Sequence, residues 1–166
     1  TGDVDFTLAA WCRFDTLAAN RSVATKWGAV TLREYQIAYD LAANRLEFRV
    51  SSDGTAGASV NADSLGIPAI NTWYLLIGWH DSAANTINVQ ANNGIVDSLP
   101  HAAGVFDSNA QFIIGVRANL VNYMDGRIGP TMFWKSAGGG GGVLTAAQRT
   151  ALYNGGAGLP YTSFTI

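Results

Sequence analysis

"NRLEFRVS", residues 44–51, sets Leu46, Phe48 and Val50 against Glu47 and Arg49 in strict alternation. Successive side chains of an extended strand leave on opposite faces, so this segment reads as a strand with one apolar face and one polar face. The same period runs outward from it. "EYQIAYD" (34–40) groups Tyr35, Ile37 and Tyr39, and "DLAAN" (40–44) joins the two runs as a hairpin of polar and small residues. "SVATKW" (22–27) repeats the pattern, and so does "VDFTLAAWCRF" (4–14), where Phe6, Leu8, Ala10, Cys12 and Phe14 face one way and Thr7, Ala9, Trp11 and Arg13 the other.

Downstream, "SSDGT" (51–55) is a turn, because Asp-Gly supplies the positive φ of a tight reversal. Weaker strand material follows near residues 58–61. "TWYLLIGWH" (72–80) is almost continuously apolar and predicts a central strand covered on both faces. Further strands are predicted at "INVQAN" (87–92), "IVDS" (95–98), "QFIIGV" (111–116) and about 123–134. Short strands divided by Gly, Asn and Asp turns, with no helices between them, predict an all-β antiparallel sandwich. One helix stands apart, in "LTAAQRTALYNGG" (144–156). Thr145 and Gln148 have the spacing of a capping box, and Gly155 or Gly156 is placed to end the helix in a left-handed conformation. At about 10 residues such a helix does not persist alone in water, so it must lie against the sandwich.

The 166 residues are 48% hydrophobic, enough for one well-buried core and a single domain over 1–166. Only 13% are charged and the net charge is −2. No broad positive field exists to hold nucleic acid or an anionic membrane, and a surface of amides and hydroxyls suits neutral ligands. Cys12 is the only cysteine and lies in an apolar strand, so it reads as a core residue. No apolar run approaches the ~18 residues that cross a bilayer, and no membrane insertion is expected. The chain opens at Thr1 without Met and is expected to be part of a longer polypeptide.

Three segments, "DFTLAAWCRFD" (5–15), "TWYLLIGWHDSAANTINVQANNG" (72–94) and "YMDGRIGPTMFWKS" (123–136) followed by "VLTAAQRTALYNGG" (143–156), together resemble the concanavalin A-like lectin/glucanase superfamily. The likeness is to its laminin-G-like (LamG-like) jelly rolls in particular. The resemblance implies a jelly-roll β-sandwich with one short C-terminal helix, packed at the sandwich edge as a lid over the core. It implies a lectin-like, non-catalytic carbohydrate-binding or adhesion module of an extracellular or phage virion protein. Two departures stand out. Gly129 and Pro130 occupy the place where the family usually has an acidic pair, and Gly138–Gly142 lengthen the connection to the helix, which reads as a surface insertion. The family's domain also usually begins with a further strand, so "YTSFTI" (161–166) or a neighbouring chain is a candidate to close the exposed edge.

Glycosidases of this superfamily need paired carboxylates about 5 Å apart. Only Glu34 and Glu47 are present as Glu, on separate strands, and most of the ten Asp fall at turns. His80 reads as a strand-end histidine bonded to a turn carboxylate, and His80 and His101 are too distant in sequence for a local zinc pair. No enzyme activity is expected. For binding, most of the five Trp and six Tyr are assigned to the core, including Trp11, Trp73, Trp79 and Trp134. Trp27 at a strand end and Tyr123 beside the loop "RANLVN" (117–122) are better placed for a glycan or cell-surface ligand, with Arg117, Asn119 and Asn122 as donors and acceptors. No cofactor is required. Calcium is the one the resemblance allows, with Asp53, Asp81, Asp107 and Asp125 as weak candidate ligands. The competing reading is a structural module that self-associates or attaches to a virion scaffold, since protein contacts favour surfaces poor in Lys and Glu.

Overall fold

A computed structural model describes residues 3–136 and 141–159. The predicted glycines at 138–140 and the segment at 161–166 lie outside these residues. Ten strands form two five-stranded antiparallel sheets. The first sheet has the order β10 (Gly126–Lys135), β1 (Phe6–Phe14), β6 (Trp73–Asp81), β7 (Thr86–Ala91) and β8 (Asp97–Pro100). The second has the order β5 (Ala58–Asn61), β4 (Arg45–Val50), β3 (Arg33–Asp40), β2 (Arg21–Trp27) and β9 (Ile113–Ile114). The strand expected over 111–116 shrinks to the two residues of β9, which pair with Ala24 and Thr25.

Between the sheets lies one core. Phe6, Leu8, Ala10, Cys12 and Phe14 meet Tyr35, Ile37, Tyr39, Leu46, Phe48 and Val50, as alternation requires. Burial pushes the Cys12 thiol up to about 12, so it stays a neutral core group. At the centre, Gly78 of β6 faces Phe48 of β4. A Cβ built on Gly78 would come within 2.4 Å of the Phe48 ring, so the close fit of the two sheets there depends on the missing side chain. Gly126, with φ +150, is equally restricted, since a Cβ there would lie 2.0 Å from the Arg13 carbonyl oxygen.

The first sheet is buried on its outer face as well. Ala9, Leu75, Ile77 and Trp79 form a second apolar cluster with Leu144 and Leu152. The helix α1 (Ala146–Tyr153) therefore lies across that outer face, not at the edge as a lid over the core. The physical reason is the double-faced apolar run of β6, whose odd-numbered side chains need a cover. The capping box forms as expected, with Thr145 and Gln148 each bonding the other's backbone N–H. The helix ends one residue before the expected glycines, on Asn154 at φ 46 and ψ 50.

Thr7, buried on the same face, holds the chain leading into the helix. Its hydroxyl donates to the Gly142 carbonyl at 2.7 Å and accepts from the Leu144 N–H at 3.3 Å. Gly142 is pressed so close to Asp5 that a Cβ would sit 2.1 Å from the Asp5 carbonyl oxygen. This last glycine of the run is thus a docking point and not a passive insertion. Among the described residues no helix is long and apolar enough to cross a membrane.

Two substitutions test this packing. Gly78→Ala should cost about 1–3 kcal/mol by overpacking and lower the Tm by several degrees in thermal denaturation. Combining it with Phe48→Leu should cost less than the sum of the two single changes, whereas an unchanged Tm for Gly78→Ala would refute the close contact. Thr7→Val keeps the shape but leaves the strap's polar groups unmet, costing about 1–3 kcal/mol. Its amide exchange should quicken in the helix before it does in the core strands.

Candidate functional site

The outer face of the second sheet follows a different plan from the first. Alternation turns Glu34, Gln36 and Ala38 of β3 and Glu47 and Arg49 of β4 outward, yet Glu34, Gln36 and Glu47 are almost fully buried. The face expected to be wet is instead a polar network under cover. Arg117 Nε donates to Gln36 Oε1 at 2.9 Å, and Gln36 Nε2 donates to Glu47 Oε1 at 3.0 Å. Arg49 Nη2 lies 3.2 Å from Glu47 Oε2, while Arg49 Nε donates to Ser59 Oγ at 2.6 Å. A ladder of charge-assisted bonds therefore crosses β3, β4 and β5 from a loop at one side. Glu34 has its own partners, Lys26 Nζ at 2.7 Å and the N–H and hydroxyl of Ser108 at 3.0 Å each.

Burial shifts these groups in opposite senses. It raises the Glu47 carboxyl above its ordinary value, against the lowering effect of Arg49, and it lowers the Arg117 guanidinium, which the like charge of Arg49 lowers further. Both shifts come from taking charge out of water.

At the end of the ladder the loop 115–124 folds over the β2 edge. Gly115 N–H donates to the Val23 carbonyl, Ala118 N–H to the Trp27 carbonyl and Ser22 N–H to the Asn122 carbonyl. Leu120 and Asn122 adopt left-handed conformations, at φ 58 and 57. The loop closes a polar cavity of about 60 Å³ lined by Asn20, Arg21, Ser22, Asp40, Glu47, Arg49, Arg117 and Asn122, together with Ala38 and Tyr39. Three of these residues carry buried atoms with no hydrogen-bond partner among the described residues: Arg21 Nε, Ser22 Oγ and Glu47 Oε2. Glu47 Oε2 is near enough to Arg49 for charge pairing without an aligned hydrogen bond.

The five residues singled out for ligand contact gather around this loop, with one reversal. Arg117 and Asn122 line the cavity. Asn119 is exposed on the same loop, and Tyr123, 55% exposed, follows it. Trp27 is only 3% exposed and cannot meet a ligand. Arg33 and Arg117 lie over its ring, each 5.8 Å from the centroid, and the bare backbone of Gly57 lets the ring pack closely. Trp27 is a buttress for Arg117, because the loop that carries the arginine folds back over the strand end. Glu47, Asp40, Arg49 and Asn20 were not among the expected site residues. Glu47 and Arg49 were visible as outward residues of the cleanest strand, but nothing local announced a loop 70 residues away closing over them.

The four Asp residues named for calcium lie in separate settings. Asp53 accepts from Thr55 N–H and Oγ1, Ala56 N–H and Ser51 Oγ, which holds its carboxyl well below the usual range. Asp81 accepts from Ala84 N–H, Asp125 faces Arg21 at 3.6 Å, and Asp107 is exposed in the loop between β8 and β9. Among the described residues, no three of His, Cys, Asp and Glu gather as a metal site would require. The histidines are another correction. Their rings stand 6.0 Å apart despite the sequence distance, but His80 Nδ1 is engaged by the Val4 carbonyl and His101 Nε2 by the Gly104 carbonyl. The acid nearest His80 is Asp3, at 3.8 Å, not the following turn residue Asp81.

The first sheet carries a second concavity. Trp11, Trp73, Gly129, Pro130 and the Gly156–Leu159 segment line an open trough of about 270 Å³ beside the end of the helix. Trp79 is buried and Trp134 packs against the helix cluster, as core residues should, but Trp73 is 43% exposed. Gly129 lets β10 pass close to both residues: a Cβ there would lie 3.1 Å from the Cβ of Trp11 and 3.7 Å from the Trp73 ring.

Comparison with known proteins agrees with this architecture. The mouse laminin alpha1 chain, domains LG4-5, superposes with a TM-score of 0.58 at 13% identity, over 78% of this chain and 35% of that one. Domain 4 of an extracellular GH43 arabinanase from Geobacillus stearothermophilus, in complex with arabinotriose, gives 0.60 at 17% identity, over 90% and 66%. The CBM40 of the Ruminococcus gnavus IT-sialidase, bound to alpha2,3 sialyllactose, gives 0.59 at 11% identity, over 90% and 83%. The chain thus spans less than two thirds of the length of the first two, and likeness at these identities speaks for the fold alone. No curated protein sequence matches the chain. A laminin G family profile does match it, over residues 1–139. With that match covering most of the sequence and both sheets in place, the chain belongs to the Concanavalin A-like lectin/glucanases superfamily.

Proposed function

We propose that this domain is a non-catalytic carbohydrate-binding module of an extracellular or virion-attached protein, and that it takes its glycan at the cavity under the 115–124 loop. The observation that carries the reading is the pair of buried polar atoms without a hydrogen-bond partner, Arg21 Nε and Ser22 Oγ, on residues lining one small cavity beside the Glu47–Arg49 pair. A buried polar group without a partner costs about 1–3 kcal/mol, so these two call for a polar occupant. Sugar hydroxyls both donate and accept, matching a guanidinium N–H, a hydroxyl and a carboxylate oxygen together. A volume of about 60 Å³ admits a hydroxyl-bearing corner of a sugar, not a whole ring. The rest of the ring would stand at the rim, where Asn119 offers its amide and Tyr123 an exposed aromatic face. The arabinotriose-bound and sialyllactose-bound relatives of the same fold support this reading, and the extracellular arabinanase supports the setting.

The carboxylates argue against hydrolysis. Glu34 and Glu47 are displaced by four residues along neighbouring strands, roughly 13 Å at the ordinary strand rise, too far for either glycosidase geometry. Asp40 and Glu47 do share the cavity, and burial raises the Glu47 carboxyl as it would a catalytic acid. But Gln36 and Arg49 hold Glu47, Asp40 accepts the Ala42 N–H in its own turn, and the cavity is too small to admit a glycosidic linkage.

A glycan array followed by calorimetry with the tightest hit tests the proposal. Asn122→Ala and Tyr123→Ala should each weaken binding about tenfold, and no reducing ends should be released from the bound saccharide. Full affinity in both variants, or a protein that binds no glycan and forms a defined oligomer in light scattering, would favour an assembly module instead. Glu47 supplies a second test. Its folded-state proton affinity is raised above the ordinary 4.5, so its contribution to stability is complete below that pH and is lost as pH rises through the folded value. Glu47→Gln cannot ionise. Denaturant titrations should therefore show the variant gaining on the wild type as pH increases from about 4 toward neutral. A stability difference independent of pH would contradict the raised carboxyl.

A further inference from the structure

The trough on the first sheet is separate from the rim cavity, on the opposite outer face of the sandwich and so on the far side of the core. Trp73 opens β6, all of whose following residues up to His80 are buried, yet its own indole is 43% exposed. An indole left open at the start of an otherwise covered strand is a large apolar surface without a partner. Trp11, one strand over, is held by Tyr153 of the helix, with ring centroids 6.0 Å apart and planes at 15°. Its Nε1 lies under Gly158, where a Cβ would come within 3.2 Å. Pro130 adds a rigid apolar wall.

The polar groups of the trough are equally specific. Gly129 and the turn at Gly156–Gly158 expose bare backbone, and no charged side chain lines the trough. The adjacent Arg13, opposite Trp73 in the strand register, is committed to the Asp15 carboxylate at 3.3 Å and to the Asn71 amide oxygen. The wall of the trough itself therefore offers no counter-charge to an anion or a cation. The exposed Trp73 indole, the half-buried Trp11 beside it and the bare backbone at Gly129 and Gly156–Gly158 fit an uncharged ligand with both C–H faces and hydroxyls. At about 270 Å³ the space lies just under the ~300–1,000 Å³ of typical small-molecule pockets, the scale of one or two sugar units.

We propose that the trough formed by Trp11, Trp73 and Pro130 is a second saccharide site, specific for a neutral sugar unit packed on the two indoles and independent of the rim cavity. It rests on the carbohydrate-binding reading but uses none of the rim residues.

The five tryptophans make the test direct. In a ¹H–¹⁵N spectrum each indole N–H reports its own neighbourhood. Trp11 and Trp73 report the trough, Trp27 lies beneath Arg117 at the rim, and Trp79 and Trp134 serve as controls beside the helix. With signals assigned by Trp→Phe variants, the full chain is titrated with arabinotriose, maltotriose and, as an anionic control, sialyllactose. The neutral sugars should shift Trp11 and Trp73 while leaving Trp79 and Trp134 in place. Trp73→Ala should weaken the Trp11 response about tenfold, with Trp73→Phe restoring most of it and the Trp27 response unchanged in both. Shifts at Trp27 alone would overturn the trough and leave the rim reading standing. Shifts at Trp11 and Trp73 alone would support the trough and count against the rim. No response at any indole up to roughly 10 mM sugar, beyond millimolar affinity, would overturn both.

Discussion

The ring of Phe48 seated on the bare backbone of Gly78 couples the two sheets at their centres. β4 and β6 are interior strands of their respective sheets, so this contact fixes the spacing and lateral offset of the whole sandwich. Phe6 packs edge-on against the same ring, with centroids 6.0 Å apart, which ties β1 into the contact. Packed interiors do not deform continuously, so one methyl group at this point would be felt by both sheets. The arrangement of the outer faces follows, because each strand's odd and even residues are assigned by which of them meets this core.

The two outer faces are then used differently. On the first sheet, apolar side chains at Ala9, Leu75, Ile77 and Trp79 require a cover, and the capped helix supplies it, with Arg149 lying 4.4 Å above the Trp79 ring and donating to Gln90. On the second, the outward residues are polar and buried, and they satisfy one another through the ladder from Arg117 to Ser59. A polar layer of this kind contributes specificity more than stability, since its desolvation offsets much of what its bonds return. At the cavity under the 115–124 loop this network leaves Arg21 Nε and Ser22 Oγ without a hydrogen-bond partner, which is where the proposed glycan contact lies.

Much of this was legible in the sequence. Period-two alternation assigned nearly every core residue of β1, β3 and β4 to the correct face, and the unbroken apolar run of β6 announced a strand covered on both sides. The capping box of the helix was readable because its two partners sit three residues apart. What could not be read were consequences of distant chain segments. Trp27 reads as a free strand end until Arg117 and Gly57 close on it. Glu47 reads as a solvated face until the same loop arrives. Trp73 reads as core from its neighbours, and its exposure is decided by how far the helix and the turn after it extend across the sheet. His80 and His101 were judged apart from their spacing, which carries no information about a sheet that brings them side by side.

Hydrogen–deuterium exchange of the full chain, with and without the tightest saccharide from a glycan array, tests the central claim most directly. Ligand contact at the incomplete end of the polar ladder should slow exchange at the Ser22 amide, which bonds the Asn122 carbonyl, and across residues 115–124. Unchanged exchange throughout that loop, with saccharide bound and protection confined to other strands, would contradict it.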